Sequence, residues 1–104
     1  MNPRPGEIWL ADLGLAAKTR PVLVVSRFDP DPPRSLVICV PLTTQSRQSL
    51  YEVQIPMLGF LYAVSVANVQ GIASIPTVRL ERKLGILPGQ TMAAVRRALS
   101  FALD

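Results

Sequence analysis

The chain has 104 residues, a formal net charge of +4, ten prolines, one cysteine and no histidine. It is the length of one domain (residues 1–104), and with 49% hydrophobic and 17% charged residues it is too apolar for a disordered chain. A disulfide framework, a zinc cluster and a histidine acid–base pair are excluded within the chain, while the positive balance suits nucleic acid or an acidic protein partner.

Met1 to Gly6 is an arm with two prolines and no apolar signal core. Glu7–Asp12 is the first expected strand; Ile8 and Leu10 share a face and Trp9 takes the other, in the core or in a groove. Leu13–Thr19 is a short loop. Val22–Ser26, an uncharged run after Pro21, is a buried strand. Arg20 stands at its mouth, where Pro21 fixes the backbone, and a cation so held suits an anion such as phosphate.

Three prolines and two aspartates make Arg27–Ser35 a loop. Leu36–Leu42 is the most apolar strand, and its Cys39 reads as a buried structural thiol. The polar turn Thr43–Ser49 follows and delivers Thr43, Thr44, Gln45 and Arg47. These two strand ends are expected to meet and form the working site.

Tyr51–Ile55 alternates, with Tyr51, Val53 and Ile55 on one face and Glu52 and Gln54 on the other. Met57–Leu61 is an apolar turn or a patch for a second subunit. Ala63–Gln70 is a strand that Ile72–Ile75 extends, with Gly71 a bulge or turn. The apolar run around Phe60–Val69 is too short to span a bilayer, so a soluble cytoplasmic protein is expected. Val78–Leu84 reads as a short helical turn with a basic face, and Pro88–Ala102 as a helix. Met92, Val95, Leu99 and Ala102 form its apolar stripe, Met92, Val95 and Leu99 being expected with Met57–Leu61 to serve a second subunit, and Pro88 suits its first turn. The expected fold is mainly β, a small, strongly bent barrel closed by a C-terminal helix.

Pro5-Gly6-Glu7-Ile8-Trp9 with Ala11-Asp12-Leu13, then Lys18-Thr19-Arg20-Pro21-Val22-Leu23-Val24-Val25-Ser26, then Pro41-Leu42-Thr43, resembles the MazF/PemK toxins of bacterial toxin–antitoxin systems. Arg79-Leu80 and the final amphipathic helix are similar too, so nearly the whole chain is covered. The resemblance implies an SH3-like (CcdB/PemK-like) barrel that forms a homodimer. It implies an endoribonuclease that cuts single-stranded mRNA at a short motif without metal or cofactor, leaving a 2′,3′-cyclic phosphate and a 5′-hydroxyl. It also implies an antitoxin whose tail fills the RNA groove, and operator DNA met only through the antitoxin complex. The family's catalytic pair matches Arg20 and Thr43, with Thr44 one residue on. Two features depart from the family pattern. The loop Gly14–Thr19 is short, and Ala73 and Pro76 stand where many members have Arg and Asp.

In this reading Arg20 steadies charge on the phosphate, because a guanidinium is a poor proton carrier in water. Thr43 would donate to a non-bridging oxygen, and Lys18, Thr44, Gln45 and Arg47 would line the groove. Glu7 and Glu52 are the carboxylates expected near enough to act as base or to orient Arg20. A non-catalytic RNA-binding dimer and a gyrase-directed toxin are the alternatives on the same fold.

Overall fold

The structure, a computed structural model, describes residues 2–14, 19–61 and 63–104. Seven strands precede one helix: β1 (Glu7–Asp12), β2 (Thr19–Val24), β3 (Leu36–Thr43), β4 (Glu52–Ile55), β5 (Ser65–Asn68), β6 (Ala73–Pro76), β7 (Leu80–Ile86) and α1 (Gly89–Leu103). All pairings are antiparallel, in the order β4-β5-β3-β2-β1-β7, and β6 also pairs with β3.

The eight-residue β3 is where the sheet divides. Its first half pairs with β6, from Leu36↔Pro76 to Cys39↔Ala73, and its last two residues pair with β5, Leu42↔Ala67 and Thr43↔Val66. The expected strand 63–75 is therefore two strands sharing one edge of β3, separated by a 3-10 turn at Val69–Gly71. Asn68 caps that turn by accepting a hydrogen bond from the Gln70 amide at 3.1 Å. Gly71 is the residue that allows the turn to lie on β3, since a Cβ there would sit 2.6 Å from Pro41 Cγ.

Strand alternation sorts the apolar residues onto two faces. One core gathers Ile8, Leu23, Val40, Leu42, Ile55 and Ala67 and is covered by α1 through Met92, Val95 and Ala98. The other gathers Ala11, Val22, Val24, Val37, Cys39 and Leu80, with Trp9, Leu13 and Ile75 against it. Cys39 is the buried thiol expected, its pKa pushed up to about 12 by burial. Tyr51, Val53 and Ile55 all pack on the helix side, as their alternation predicts.

Three expectations are corrected. Val78–Leu84 is not a helical turn: a 3-10 turn at Thr77–Arg79 leads into β7, which pairs with β1. The stripe Met92/Val95/Leu99 is not free to meet a second subunit, because Met92 and Val95 are buried and Leu99 packs on the same core. The sheet is mainly β with a C-terminal helix, as expected, but its edge strands β4 and β7 are not paired with one another among the described residues. Side chains occupy the gap instead. Leu58, Phe60 and Leu61 pack on the helix-side core, and the Phe60 ring lies where a Cβ on Gly85 of β7 would stand.

Candidate active site at the ends of β2 and β3

β2 begins at Thr19 rather than at Val22, so Arg20 lies within the ladder, opposite Ala11 of β1. On its other edge β2 pairs with β3 as Val22↔Pro41, Leu23↔Val40 and Val24↔Cys39. The same register carried two steps outward sets Arg20 against Thr43. Pro21 and Pro41 offer no N–H, which accounts for the ladder running out there. Arg20 shares the face of Val22 and Val24, and Thr43 the face of Pro41 and Cys39, which is one face of the sheet. Arg20 is exposed and has no ion pair with any described residue. Its charge is therefore free for a ligand.

Thr43 is half-buried, and its Oγ1 accepts a hydrogen bond from the Gln45 amide at 3.1 Å. That bond uses an acceptor lone pair and leaves the hydroxyl proton available to donate. The following loop is tied down by Glu52. Its carboxylate accepts from the Arg47 amide at 2.9 and 3.1 Å and from the Ser49 amide at 3.1 Å. Gln48 at the loop's apex takes a left-handed φ of 52°. Gln45 and Arg47 are exposed, so this loop brings an amide and a cation beside Thr43. Thr44 goes the other way: it lines a pocket on the opposite face with Leu10, Pro21 and Phe60. Alternation thus separates the two threonines, and only Thr43 shares a face with Arg20. Lys18, the remaining groove candidate, lies outside the described residues.

A family model of PemK-like, MazF-like toxins of type II toxin–antitoxin systems matches residues 4–103. The chain belongs to this family. Solved structures agree with it over nearly the whole chain. An endoribonuclease from a mycobacterial species, in complex with its cognate antitoxin, superposes with a TM-score of 0.85 at 28% identity, over 97% of this chain and 94% of the other. The Mycobacterium tuberculosis toxin MazF-mt6 gives 0.80 at 31% identity, over 94% of this chain and 98% of its own. MazF in a MazE–MazF complex from Deinococcus radiodurans, at 23% identity, shares the fold with a TM-score of 0.79 over 99% and 97% of the two chains.

In this PemK-like toxin neither expected carboxylate reaches Arg20. Glu7 is buried at the far end of β1, four residues before Ala11, on the order of 13 Å along a strand. It accepts from the Arg4 amide at 3.0 Å and from Trp9 Nε1 at 3.1 Å, and pairs with Lys83 at 3.2 Å. Burial raises its pKa, but those hydrogen bonds and the Lys83 charge together hold it below the ordinary carboxylate value. Glu52 is occupied by loop amides, so it positions the Thr43 loop and is not aimed at Arg20. Its signal in the sequence is the Ser49-x-x-Glu52 spacing, a capping-box pattern used here to close a turn.

A second cation at this end was hidden by the misread Val78–Leu84. Arg79 donates from Nη1 to the Asp12 carbonyl at 3.3 Å and lies 4.0 Å from its carboxylate. Asp12 is also held by the Gly14 amide, which donates to Oδ1 at 2.9 Å. Because Ala11 pairs with both Arg20 and Leu80, Arg79 belongs to the same end of the sheet as Arg20. Among the described residues no three of His, Cys, Asp and Glu converge as a metal-ligand set, and no helix is long and apolar enough to cross a membrane.

Proposed function

We propose that this toxin, acting as one domain over residues 1–104, is an endoribonuclease that cuts single-stranded mRNA at a short motif without a metal. Arg20 and Thr43 are its catalytic pair. The observation that carries the reading is the shared face of an unpaired arginine and a threonine hydroxyl with a free proton, set opposite one another where the β2–β3 ladder ends. The RNA's own 2′-hydroxyl attacks the adjacent phosphorus. The 2′-hydroxyl proton passes to water, the bond to the 5′-oxygen breaks and that oxygen takes a proton from water, leaving a 2′,3′-cyclic phosphate and a 5′-hydroxyl. Arg20 stabilises the charge that builds on the non-bridging oxygens, as a planar fork does for phosphate, and Thr43 donates to one of them. Gln45, Arg47 and Lys18 hold neighbouring phosphates or bases.

The family and the antitoxin-bound mycobacterial relative support a cognate antitoxin for this chain. It is an acidic segment drawn to the +4 surface, ordering as it binds and covering the Arg20–Thr43 groove. The toxin works in the cytoplasm as a homodimer and meets operator DNA only through the antitoxin complex. Exposed apolar residues outside the helix stripe, among them Leu36 and Ile38 on β3, support self-association. Sedimentation giving a monomer at about 50 μM, above the affinity range of such dimers, contradicts the dimer.

One observation favours a non-cleaving RNA-binding dimer as the second reading. β6 presents Ala73 and Pro76 at the positions where many family members carry Arg and Asp. Incubation with long RNA in EDTA, with mapped 5′ ends and a titration of the antitoxin, separates the readings. The nuclease gives discrete 5′-hydroxyl ends that the antitoxin suppresses. The binding module and a gyrase-directed toxin both leave RNA intact.

A further inference from the structure

Pro21 and Thr44 are the chain neighbours of Arg20 and Thr43, and alternation sends them to the opposite face of the same strand ends. There, with Leu10, Phe60, Leu84 and Arg82, they enclose a pocket of about 160 Å³. It is far smaller than a drug-sized ligand site and suits a single planar ring. Its walls are apolar, and Phe60 is fixed as one of them because Gly85 beneath it has no Cβ. Two polar groups also face it. The Arg82 guanidinium and the Thr44 hydroxyl have no ion pair or hydrogen bond with any described residue. A third, the Ser65 hydroxyl, is already committed, donating to the Ala63 carbonyl at 3.0 Å.

We propose that this pocket takes one nucleobase of the RNA, from a nucleotide flanking the cleaved phosphate, and selects a base with carbonyl acceptors, uracil or guanine, over adenine. The assignment rests on the nuclease reading above. An aromatic ring and a guanidinium plane are the surfaces on which unstacked bases are held. Arg82 and Thr44 supply donors, and a carbonyl edge satisfies them. A wholly apolar side chain from a protein partner would cover both donors and leave them unsatisfied, which is costly. The strand ends then act as a lip: the scissile phosphate lies on the Arg20–Thr43 side and the selected base on the other.

The test is cleavage of a sequence-randomised single-stranded RNA pool by wild type, Arg82→Ala and Gly85→Ala, in EDTA, with both fragment ends sequenced. Arg82 is exposed on β7, so its truncation leaves the core intact; Gly85→Ala displaces the Phe60 ring, and circular dichroism checks its fold. Wild type is expected to require uracil or guanine at one position beside the cut. Each variant is expected to relax that position alone by about tenfold, within the range of one good base contact. Unchanged preference in Arg82→Ala overturns the assignment, as does a uniform loss on all sequences, which is the behaviour of a phosphate contact. Unchanged cleavage with weakened antitoxin inhibition also overturns it and gives the pocket to the antitoxin. A wild type that cuts no RNA overturns the nuclease reading itself, and this assignment with it.

Discussion

Glu52→Ala is expected to loosen the Thr43 loop without removing any reacting group. The carboxylate holds two backbone amides, those of Arg47 and Ser49, at 2.9–3.1 Å. At an exposed site each such bond contributes about 1 kcal/mol, the ordinary net value of an intramolecular hydrogen bond. Releasing the left-handed Gln48 returns part of that sum, since an L-residue there costs about 1 kcal/mol or somewhat more. The net loss is about 1 kcal/mol, which for a chain of this size lowers the melting temperature by roughly 4–8 °C. Cleavage of a labelled oligonucleotide should weaken about tenfold, mostly in KM, because binding must now order the loop. Glu52→Gln keeps one acceptor oxygen and should lose about half as much. The assay is a thermal melt paired with rate against pH for wild type and both variants. A general base contributes roughly 10²–10⁴-fold. The reasoning fails if Glu52→Gln falls by that much, melts like wild type and loses the acidic limb of its pH profile, for Glu52 would then be the base.

Glu7 has a folded pKa below its unfolded value of about 4.5, so its stabilisation is fully present above that pH and is lost as pH falls through the lower folded value. Glu7→Gln should therefore cost roughly 1–2 kcal/mol at pH 7, and urea titrations should show the gap to wild type closing below about pH 4; a gap that stays constant down to pH 2 contradicts this. Val95 of α1 is fully buried, and Val95→Ala should cost about 2–3 kcal/mol from two lost methyl groups and the cavity they leave, read by the same titration with circular dichroism. Thr43→Ala should slow cleavage by about 10²-fold or more, as loss of an oxyanion donor does, and Thr43→Ser by less. Thr44→Ala should lose about tenfold on the best sequence, the loss of one base contact, and so less than Thr43→Ala, and the reverse order of the two threonines means the roles assigned to them are exchanged.

The strands that carry the Arg20–Thr43 row were legible because each is a run of β-branched residues bounded by proline or loop chemistry. Alternation alone then placed Tyr51, Val53 and Ile55 under the helix. The stretch 78–84 was misread because Leu80 and Leu84 stand four apart, a helical spacing, while the pairing with β1 that makes it a strand is long-range. The stripe of α1 was read correctly as apolar, yet its partner was not legible: a buried face looks the same in sequence whether its own sheet or a second subunit covers it. Glu7 lies on the strand before Arg20 and Glu52 on the strand after the Thr43 turn, which draws both toward the site in the sequence. Their real partners, Lys83 and the amides of Arg47 and Ser49, depend on the β1–β7 register and on a closed turn. The opposite facing of Thr43 and Thr44 follows from β3 alternation once the ladder fixes which face holds Arg20.

The central claim is that Arg20 carries the cleavage of RNA. It is tested most directly by single-turnover cleavage, in EDTA, of one labelled oligonucleotide containing the mapped site, comparing wild type, Arg20→Ala and Arg20→Lys. Arg20 is exposed and precedes the buried part of β2, so both variants should show the wild-type circular dichroism spectrum. Arg20→Ala should lose nearly all activity, and Arg20→Lys should recover little of it, since an ammonium lacks the planar fork. Cleavage by Arg20→Ala at the wild-type rate, or no cleavage by wild type on any RNA, would contradict the account.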